Sequence, residues 1–400
     1  MPGRVLANQG GYMNVLVINA GSSSLKYQLL NTETREVFAK GNAERIGIEG
    51  SFIGHEEYGK KDKLEVELPD HRTAIKHIFD ILETVAEKPE GIGHRVVQGG
   101  WYFPESAVVT DETLGWVREV APLAPLHNYA EADVIEICRE MFPELGNVIV
   151  PDTAFHYNMP EQAWRYAIPR DIVDKYHVRK YGAHGTSHRY IWRTVNELMG
   201  GKTHKLVSCH LGSGASLCAI EDGQCKDTTM GLTPLDGLIM GTRCGTVDPA
   251  TVFYLNREAN MSIDEIDTMM NKQSGLLAVS GVSSDSRDIE EGMNNGDANC
   301  KMAMEMFYYR TSQLFAEMAA SMEGVDTMAY TAGIGENSVT MRAGVAKRLE
   351  WMGVKVDPEL NKVRSDDPRI ISTPDSAITV LVVPTNEELM IALDVEELLG

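Results

Sequence analysis

The sequence has no run of about 18 consecutive apolar residues, the length a membrane-spanning helix needs. Its start also lacks the apolar core of a secretory signal, so the chain reads as cytoplasmic, with no membrane partner. Positive charge is scarce: 37 lysines and arginines stand against 58 aspartates and glutamates, a formal net charge of -21. A field of that sign repels nucleic acid, so any anion that binds must be met by local positive charge. Cysteine is scarce too. Cys138, Cys209, Cys218, Cys225, Cys244 and Cys300 contain no CxxC pair, which reads as reduced thiols with neither a disulfide framework nor a zinc site.

Both standard nucleotide signatures are missing. Gly201-Lys202-Thr203 mimics the end of a P-loop, but Asn196 stands in place of its first glycine and the segment follows a helical pattern rather than a strand. Gly212-Ser213-Gly214 and Gly333-Ile334-Gly335 do not complete GxGxxG, because Leu217 and Ser338 fill the last position. His184-Gly-Thr-Ser-His188 has the histidine spacing of a zinc-protease helix without its glutamate, and Gly185 disfavours helix there.

What is present begins at Val15-Leu-Val-Ile-Asn19-Ala-Gly21-Ser22-Ser23-Ser24-Leu-Lys26: an apolar strand, a Gly-Ser turn and a second strand. Gly21 permits a sharp turn close to a ligand, Ser22 and Ser24 offer hydroxyls and amides, and Lys26 adds a point charge. A second loop, His210-Leu-Gly212-Ser213-Gly214-Ala-Ser216, aligns with it: Asn19 falls on His210, Gly21 on Gly212 and Ser22 on Ser213. That match near the start of each half suggests two related domains facing across a cleft. A third loop, Gly333-Ile334-Gly335-Glu336-Asn337, follows the strand-like Thr327–Thr331. Three such loops would hold a polyphosphate from several sides.

Four hundred residues with 43% hydrophobic content predict two globular domains. Strand alternation runs from Val15 to about Glu67, and helical periodicity covers Thr73 to Ala86. Buried strands are expected at Gly91 to Val97 and Asn147 to Asp152, with helices at Asp111 to Val120 and Ala130 to Met141. In the second half, Thr186 or Ser187 caps a helix running to Met199, Ser262 and Glu265 form a capping box, and Ala298 to Met322 is a long helix. The alternation indicates an α/β fold. Near the end, Val380 to Pro384 reads as a strand, and Thr385 with Glu388 reads as the capping box of a last helix. Glu387 is then left at the strand-to-helix junction as an oxygen ligand for a hard cation beside phosphate, the plain alternative being that both glutamates complement the helix dipole.

Two arginines sit in glycine-rich segments: Arg95 in Gly93-His-Arg-Val-Val97-Gln98-Gly99-Gly100, and Arg243 in Gly241-Thr-Arg-Cys-Gly245. A lone loop arginine is usually solvated. Two of them, beside phosphate loops in an acidic chain, suit the pairing of two anions. Asp152 at a strand end and His184 complete the polar candidates.

With these segments the chain resembles the acetate kinases, a family of the acetate and sugar kinase, Hsp70 and actin superfamily. The resemblance runs from about Met13 to the end and rests on Asn-Ala-Gly-Ser-Ser-Ser-Leu-Lys, Gly-His-Arg-Val-Val, Ala-Pro-Leu-His-Asn at 124 to 128, Asp-Thr-Ala-Phe-His, Tyr-Gly-Ala-His-Gly-Thr-Ser-His at 181 to 188, Met-Gly-Thr-Arg at 240 to 243, Gly-Ile-Gly-Glu-Asn and Pro-Thr-Asn-Glu-Glu. It implies two duplicated ribonuclease H-like domains of the actin and Hsp70 type flanking an active-site cleft. Their expected bounds are 13–153 plus 386–400, and 154–385, after a flexible extension over 1–12. By resemblance Asn19 and Glu387 hold magnesium, with manganese as the alternative ion. Arg95, Asp152, His184 and Arg243 are catalytic, while Arg95, Val97, Leu126 and Pro234 bind the acyl substrate. Lys26, His210, Gly212, Ser213, Gly214, Asp285, Ser286, Arg287, Gly333, Ile334, Gly335, Glu336 and Asn337 serve the nucleotide.

The reaction implied is reversible, magnesium-dependent phosphoryl transfer between ATP and acetate, in a homodimer. A propionate or butyrate kinase of the same family and a non-catalytic nucleotide switch are the alternatives. Gln98 stands where many members have histidine, Ser213 where asparagine is common and Pro151 where phenylalanine is common. Ala183 takes a position where some relatives place phenylalanine, which opens the question of acyl-chain selectivity.

Overall fold

The computed structural model describes residues 11–400, so the expected extension over 1–12 lies outside the described residues except for its last two. The chain divides into two units. The first runs to Ala154 and resumes at Asn386–Gly400; the second is Phe155–Thr385.

The first unit carries an eight-stranded sheet of β1 (Asn14–Ala20), β2 (Ser24–Asn31), β3 (Val37–Glu44), β4 (Phe52–Glu57), β5 (Lys60–Glu65), β6 (Gly91–Val96), β7 (Ala107–Val108) and β8 (Gly146–Pro151). The order across it is β5-β4-β3-β2-β1-β6-β8-β7. β1 is antiparallel to β2 and parallel to β6, which is in turn parallel to β8. Val15 to Ile18 are buried on both faces, as a central strand covered by helices requires. The helix Glu387–Leu399 lies against β1, β6 and β8. Its closeness explains the bare backbone of β6: a Cβ at Gly93 would stand 2.5 Å from Ile391 Cγ2.

The second unit repeats this core with β9 (Lys205–Leu211), β10 (Ala215–Glu221), β11 (Gln224–Thr228), β12 (Thr327–Thr331), β13 (Arg369–Ile370) and β14 (Thr379–Val382), in the order β11-β10-β9-β12-β14-β13. β9 is antiparallel to β10 and parallel to β12, which is parallel to β14. The run β3-β2-β1-β6-β8 therefore matches β11-β10-β9-β12-β14 in order and direction. Asn19 and His210 both occupy the next-to-last position of the first strand, each followed by a three-residue turn. The long helix Ala298–Ser321 buries Phe307, Leu314, Phe315 and Met318 in this unit's core.

Two helix starts depart from expectation. The helix Gly185–Leu198 begins with the glycine thought to oppose it, and Thr186 and Ser187 lie buried in its first turn. His184 takes the cap position in a left-handed conformation, φ 57°. Gly185 is the first helical residue, and the entropic penalty of glycine applies chiefly to a helix interior. The last helix is capped by Asn386, whose side chain accepts from Leu389 N–H at 3.0 Å, rather than by Thr385. Thr385 is engaged within the second unit: its hydroxyl meets Ser187 Oγ at 2.8 Å and its N–H donates to Glu336 Oε1 at 3.2 Å.

Candidate active site

In the first unit, the C-terminal ends of three parallel strands and one helix start bring four expected residues together. Asn19 ends β1, Arg95 lies near the end of β6, Asp152 follows β8, and Glu387 opens the last helix. Ligand sites of α/β sheets form at such carboxyl ends. Arg95 is tied to Asp152 by two bonds, Nη2 to Oδ2 and Nε to Oδ1, the latter at 3.3 Å. Its Nη1 donates to Asn19 Oδ1 at 3.4 Å, and Glu387 Oε2 lies 3.9 Å from its Nε. Asp152 is only 1% exposed, so this fork holds the guanidinium in one orientation. Burial alone would lower the Arg95 pKa, but Asp152, Glu387 and Glu131 outweigh it and raise it. Glu387 is pushed up to about 7, first by burial and then by the Asp152 charge, against the pull of Arg95.

Glu131 belongs to this group and sequence reasoning missed it. It sits in the first turn of the helix Asn128–Met141 and accepts from Val97 N–H at 3.1 Å through Oε2. Its Oε1 is buried without a hydrogen-bond partner, and burial lifts its pKa to about 8, against the pull of Arg95. Beside it Asn128 accepts from Gln98 N–H at 3.1 Å and donates to Gln98 O at 2.7 Å. The helix start thus clamps the two residues that follow β6. A carboxylate among Ala132, Val134, Ile135 and Cys138 on the apolar face of a helix was the available signal.

Glu388, released from the capping role assigned to it, lines a cavity of about 440 Å³ with Asn19, Lys26, Gln28, Asn42 and His55. Lys26 is therefore a first-unit residue, paired across the β1–β2 ladder with Asn19, and does not line the second unit's cavity described below. Val97 is buried beside the Glu131 clamp, and Leu126 is exposed.

In the second unit, His184, Arg243 and His210 gather around the loop 212–214. A Cβ at Gly214 would lie 3.5 Å from both Arg243 Nη1 and His184 Nε2. His184 Nδ1 meets Ser216 Oγ at 2.9 Å, and its ring stacks on that of His210 with centroids 4.1 Å apart. His188 shares the Ser216 hydroxyl at 2.9 Å, so the His184–His188 pair converges on a serine. His210 Nδ1 is held by Ser187 Oγ at 2.8 Å. Arg243 Nη1 donates to Pro234 O at 3.1 Å. Among the described residues no carboxylate pairs with Arg243, and burial lowers its pKa.

Next to this loop is a cavity of about 900 Å³. Gly212, Ser213, Asp285, Ser286, Arg287, Gly333, Ile334 and Asn337 line it, as expected of nucleotide contacts, together with Ser284, Glu290 and Arg364, which the sequence reading missed. Gly214, Gly335 and Glu336 lie behind: Gly335 O accepts from Arg342 Nη1 at 2.9 Å, and Glu336 holds Thr385. Ala183 is 3% exposed and packs in the core with Val207 and Leu217. Its methyl group is therefore a packing element of the second unit.

The family model described as the acetokinase family matches residues 14–393. The acetate kinase of Thermotoga maritima is 48% identical over 400 residues, covering 96% of this chain and 98% of that protein. Among solved structures, Porphyromonas gingivalis acetate kinase superposes with a TM-score of 0.92 at 40% identity, covering 97% of this chain and all of the other. A propionate kinase from Francisella tularensis gives the same TM-score at 37% identity, with 97% and 100% covered.

Proposed function

The chain belongs to the acetokinase family, and on that premise we propose how it acts as an ATP:acetate phosphotransferase: acetate is engaged by Arg95, ATP by the second unit's loops, and magnesium by Asn19 and Glu387. Family membership sets aside a nucleotide switch without chemistry. The observation that carries the reading of the site is the contrast between an arginine fixed by a buried carboxylate and an arginine that no carboxylate neutralises.

A carboxylate nucleophile bears no proton at neutral pH, so the site needs no strong general base. An acetate oxygen attacks the γ-phosphorus; the new P–O bond forms as the bond to the β,γ-bridging oxygen breaks, and ADP leaves with that electron pair. The obstacle is repulsion between two anions. Arg95, oriented by Asp152, and Arg243, oriented by Pro234 O, present planar donor forks that offset it. His184, held through Nδ1 by Ser216 Oγ and adjacent to Gly214, stabilises charge on the transferring group. Asp152 acts through Arg95. Ser213 and the start of the helix Ala332–Asn337 supply backbone N–H groups for the polyphosphate, the Gly212 N–H being given to Gly214 O at 3.0 Å.

The donors near Glu387 suit a hard cation. Asn19 offers an amide oxygen and Glu387 a carboxylate whose ionised form is disfavoured beside Asp152, a cost a cation would relieve. When bound, magnesium would neutralise charge on the phosphates as the leaving group departs.

Acetate is the favoured acid. An added methylene is worth only ~1 to 3 kcal/mol in an apolar pocket, so propionate should be turned over with modestly lower kcat/KM. Likeness to the propionate kinase supports that tolerance. Hydroxamate trapping of the acyl phosphate, with acetate, propionate and butyrate each supplied with ATP, tests the reading; no product from acetate would overturn it. A homodimer is part of the proposal, supported by Phe253 and Tyr254, both well exposed on the helix Ala250–Glu258. Among the described residues no helix is long and apolar enough to cross a membrane.

A further inference from the structure

The second unit holds a cluster that phosphoryl transfer does not use. β10 and β11 form the hairpin at the edge of its sheet, where Cys225 stands opposite Ile220 and thus on the same face as Cys218, two residues earlier. Cys218 Sγ and Cys225 Sγ are 3.5 Å apart. His156 Nδ1 lies 3.1 Å from Cys225 Sγ and 3.9 Å from Cys218 Sγ. Among the described residues this is the one group of three His, Cys, Asp or Glu side chains whose ligand atoms all lie within 4.8 Å of one another. All three residues are buried, and none takes part in the proposed site.

The triangle has the size of one face of a tetrahedral metal site. Metal–sulfur and metal–nitrogen bonds of about 2.3 and 2.05 Å place neighbouring sulfurs about 3.8 Å apart, and sulfur and nitrogen about 3.6 Å apart. The distances here differ from those by a few tenths of an ångström. The second shell is also in place. His156 Nε2 lies 3.0 Å from Ala183 O, and a carbonyl only accepts, so Nε2 carries the proton and the Nδ1 lone pair is directed toward the sulfurs. A histidine that ligates metal is oriented in this manner.

We propose that His156, Cys218 and Cys225 form a binding site for a thiophilic divalent ion of the zinc class, which fastens the edge hairpin to the segment that carries His184. Two thiolates and a neutral imidazole around a divalent ion carry no net charge, which makes the burial tolerable. Binding displaces the protons of both thiols to solvent, and Nδ1 contributes its lone pair. Fraying of the edge strand β11 provides the way in. His156 also packs against the left-handed Gly182, where a Cβ would lie 2.6 Å from its Cδ2. Fixing the ring therefore fixes 182–184, which lead directly into the helix Gly185–Leu198 that carries His188.

The test uses the full reduced chain, stripped by chelator, with cobalt(II) as the spectroscopic probe. The expected result is a thiolate-to-cobalt charge-transfer band that saturates at one cobalt per chain and is bleached by zinc. Cys218→Ser and Cys225→Ser should each abolish it, while Cys244→Ser, outside the cluster, should leave it unchanged. Absence of the band in the wild-type chain, or its survival in both cluster variants, would overturn the site. Should the cluster variants fail to fold, thiol alkylation of the wild-type chain in mild denaturant, mapped by peptide mass, decides: zinc should protect Cys218 and Cys225 selectively, and equal labelling with and without zinc refutes the proposal.

Discussion

The two arginines differ in what surrounds them. Arg95 is fixed by a buried aspartate, with Glu387 and Glu131 nearby, so its charge is already matched within the first unit. Arg243 is held through a backbone carbonyl and a methionine sulfur at 3.6 Å, with no carboxylate partner among the described residues. One arginine is therefore structural as well as chemical, and the other keeps its charge for an incoming anion. An unmatched, half-buried guanidinium is costly in the empty protein and most strongly relieved when a polyanion arrives.

The largest effect that would break this comparison concerns stability. Arg95→Ala removes the guanidinium that is bonded twice to the buried Asp152, and should cost about 3 to 5 kcal/mol of stability as well as activity. Denaturant titration checks it. A loss below about 1 kcal/mol would mean that the carboxylates relax into water without Arg95.

Glu387 sharpens the contrast, because its pKa near 7 lies above the unfolded value of about 4.3. Its ionisation thus costs stability that is retained at acid pH and lost as pH rises toward 7 and above. A cation needs the ionised form, so apparent magnesium affinity should rise between about pH 6 and pH 8, and Glu387→Gln should weaken magnesium dependence and flatten that slope. Magnesium titrations of both proteins across that interval decide the matter. An unchanged slope in the variant would remove Glu387 from the metal site.

The smallest effects concern the same junction. Asn386→Ala should cost about 1 kcal/mol through loss of the helix cap. Glu388→Ala, which removes no cap, should stay within about 0.5 kcal/mol. Thermal melts that reversed this order would restore Thr385 and Glu388 as the capping pair.

Local features were legible in the sequence. Strand–turn–strand loops announce themselves by apolar runs broken at glycine, which is how Asn19–Ser24 and His210–Gly214 revealed the repeat that the matching sheet order bears out. Tertiary competition was not legible. Thr385 has the chemistry of a cap, yet Ser187 and Glu336, distant in sequence, claim its hydroxyl and amide. Arg95 stood out by its glycine-rich segment and Glu387 by its strand-to-helix junction, but their meeting with Asp152 was not legible, since nothing in the spacing reveals that β1, β6 and β8 end side by side. Cys218 and Cys225 meet across the β10–β11 hairpin, and His156 joins them from 62 residues before Cys218. Ala183 misled because a small residue looks the same in a sequence whether it opens a pocket or fills a core.

The most direct test of the division between the two arginines is Arg243→Ala, measured for both turnover and melting temperature. Removing a donor that strengthens in the transition state should lower kcat by roughly 10²- to 10³-fold, with lysine a poor substitute. Because no carboxylate loses a partner, the melting temperature should stay at the wild-type value while that of Arg95→Ala falls. A near-wild-type kcat, or a stability loss as large as that of Arg95→Ala, would contradict the account.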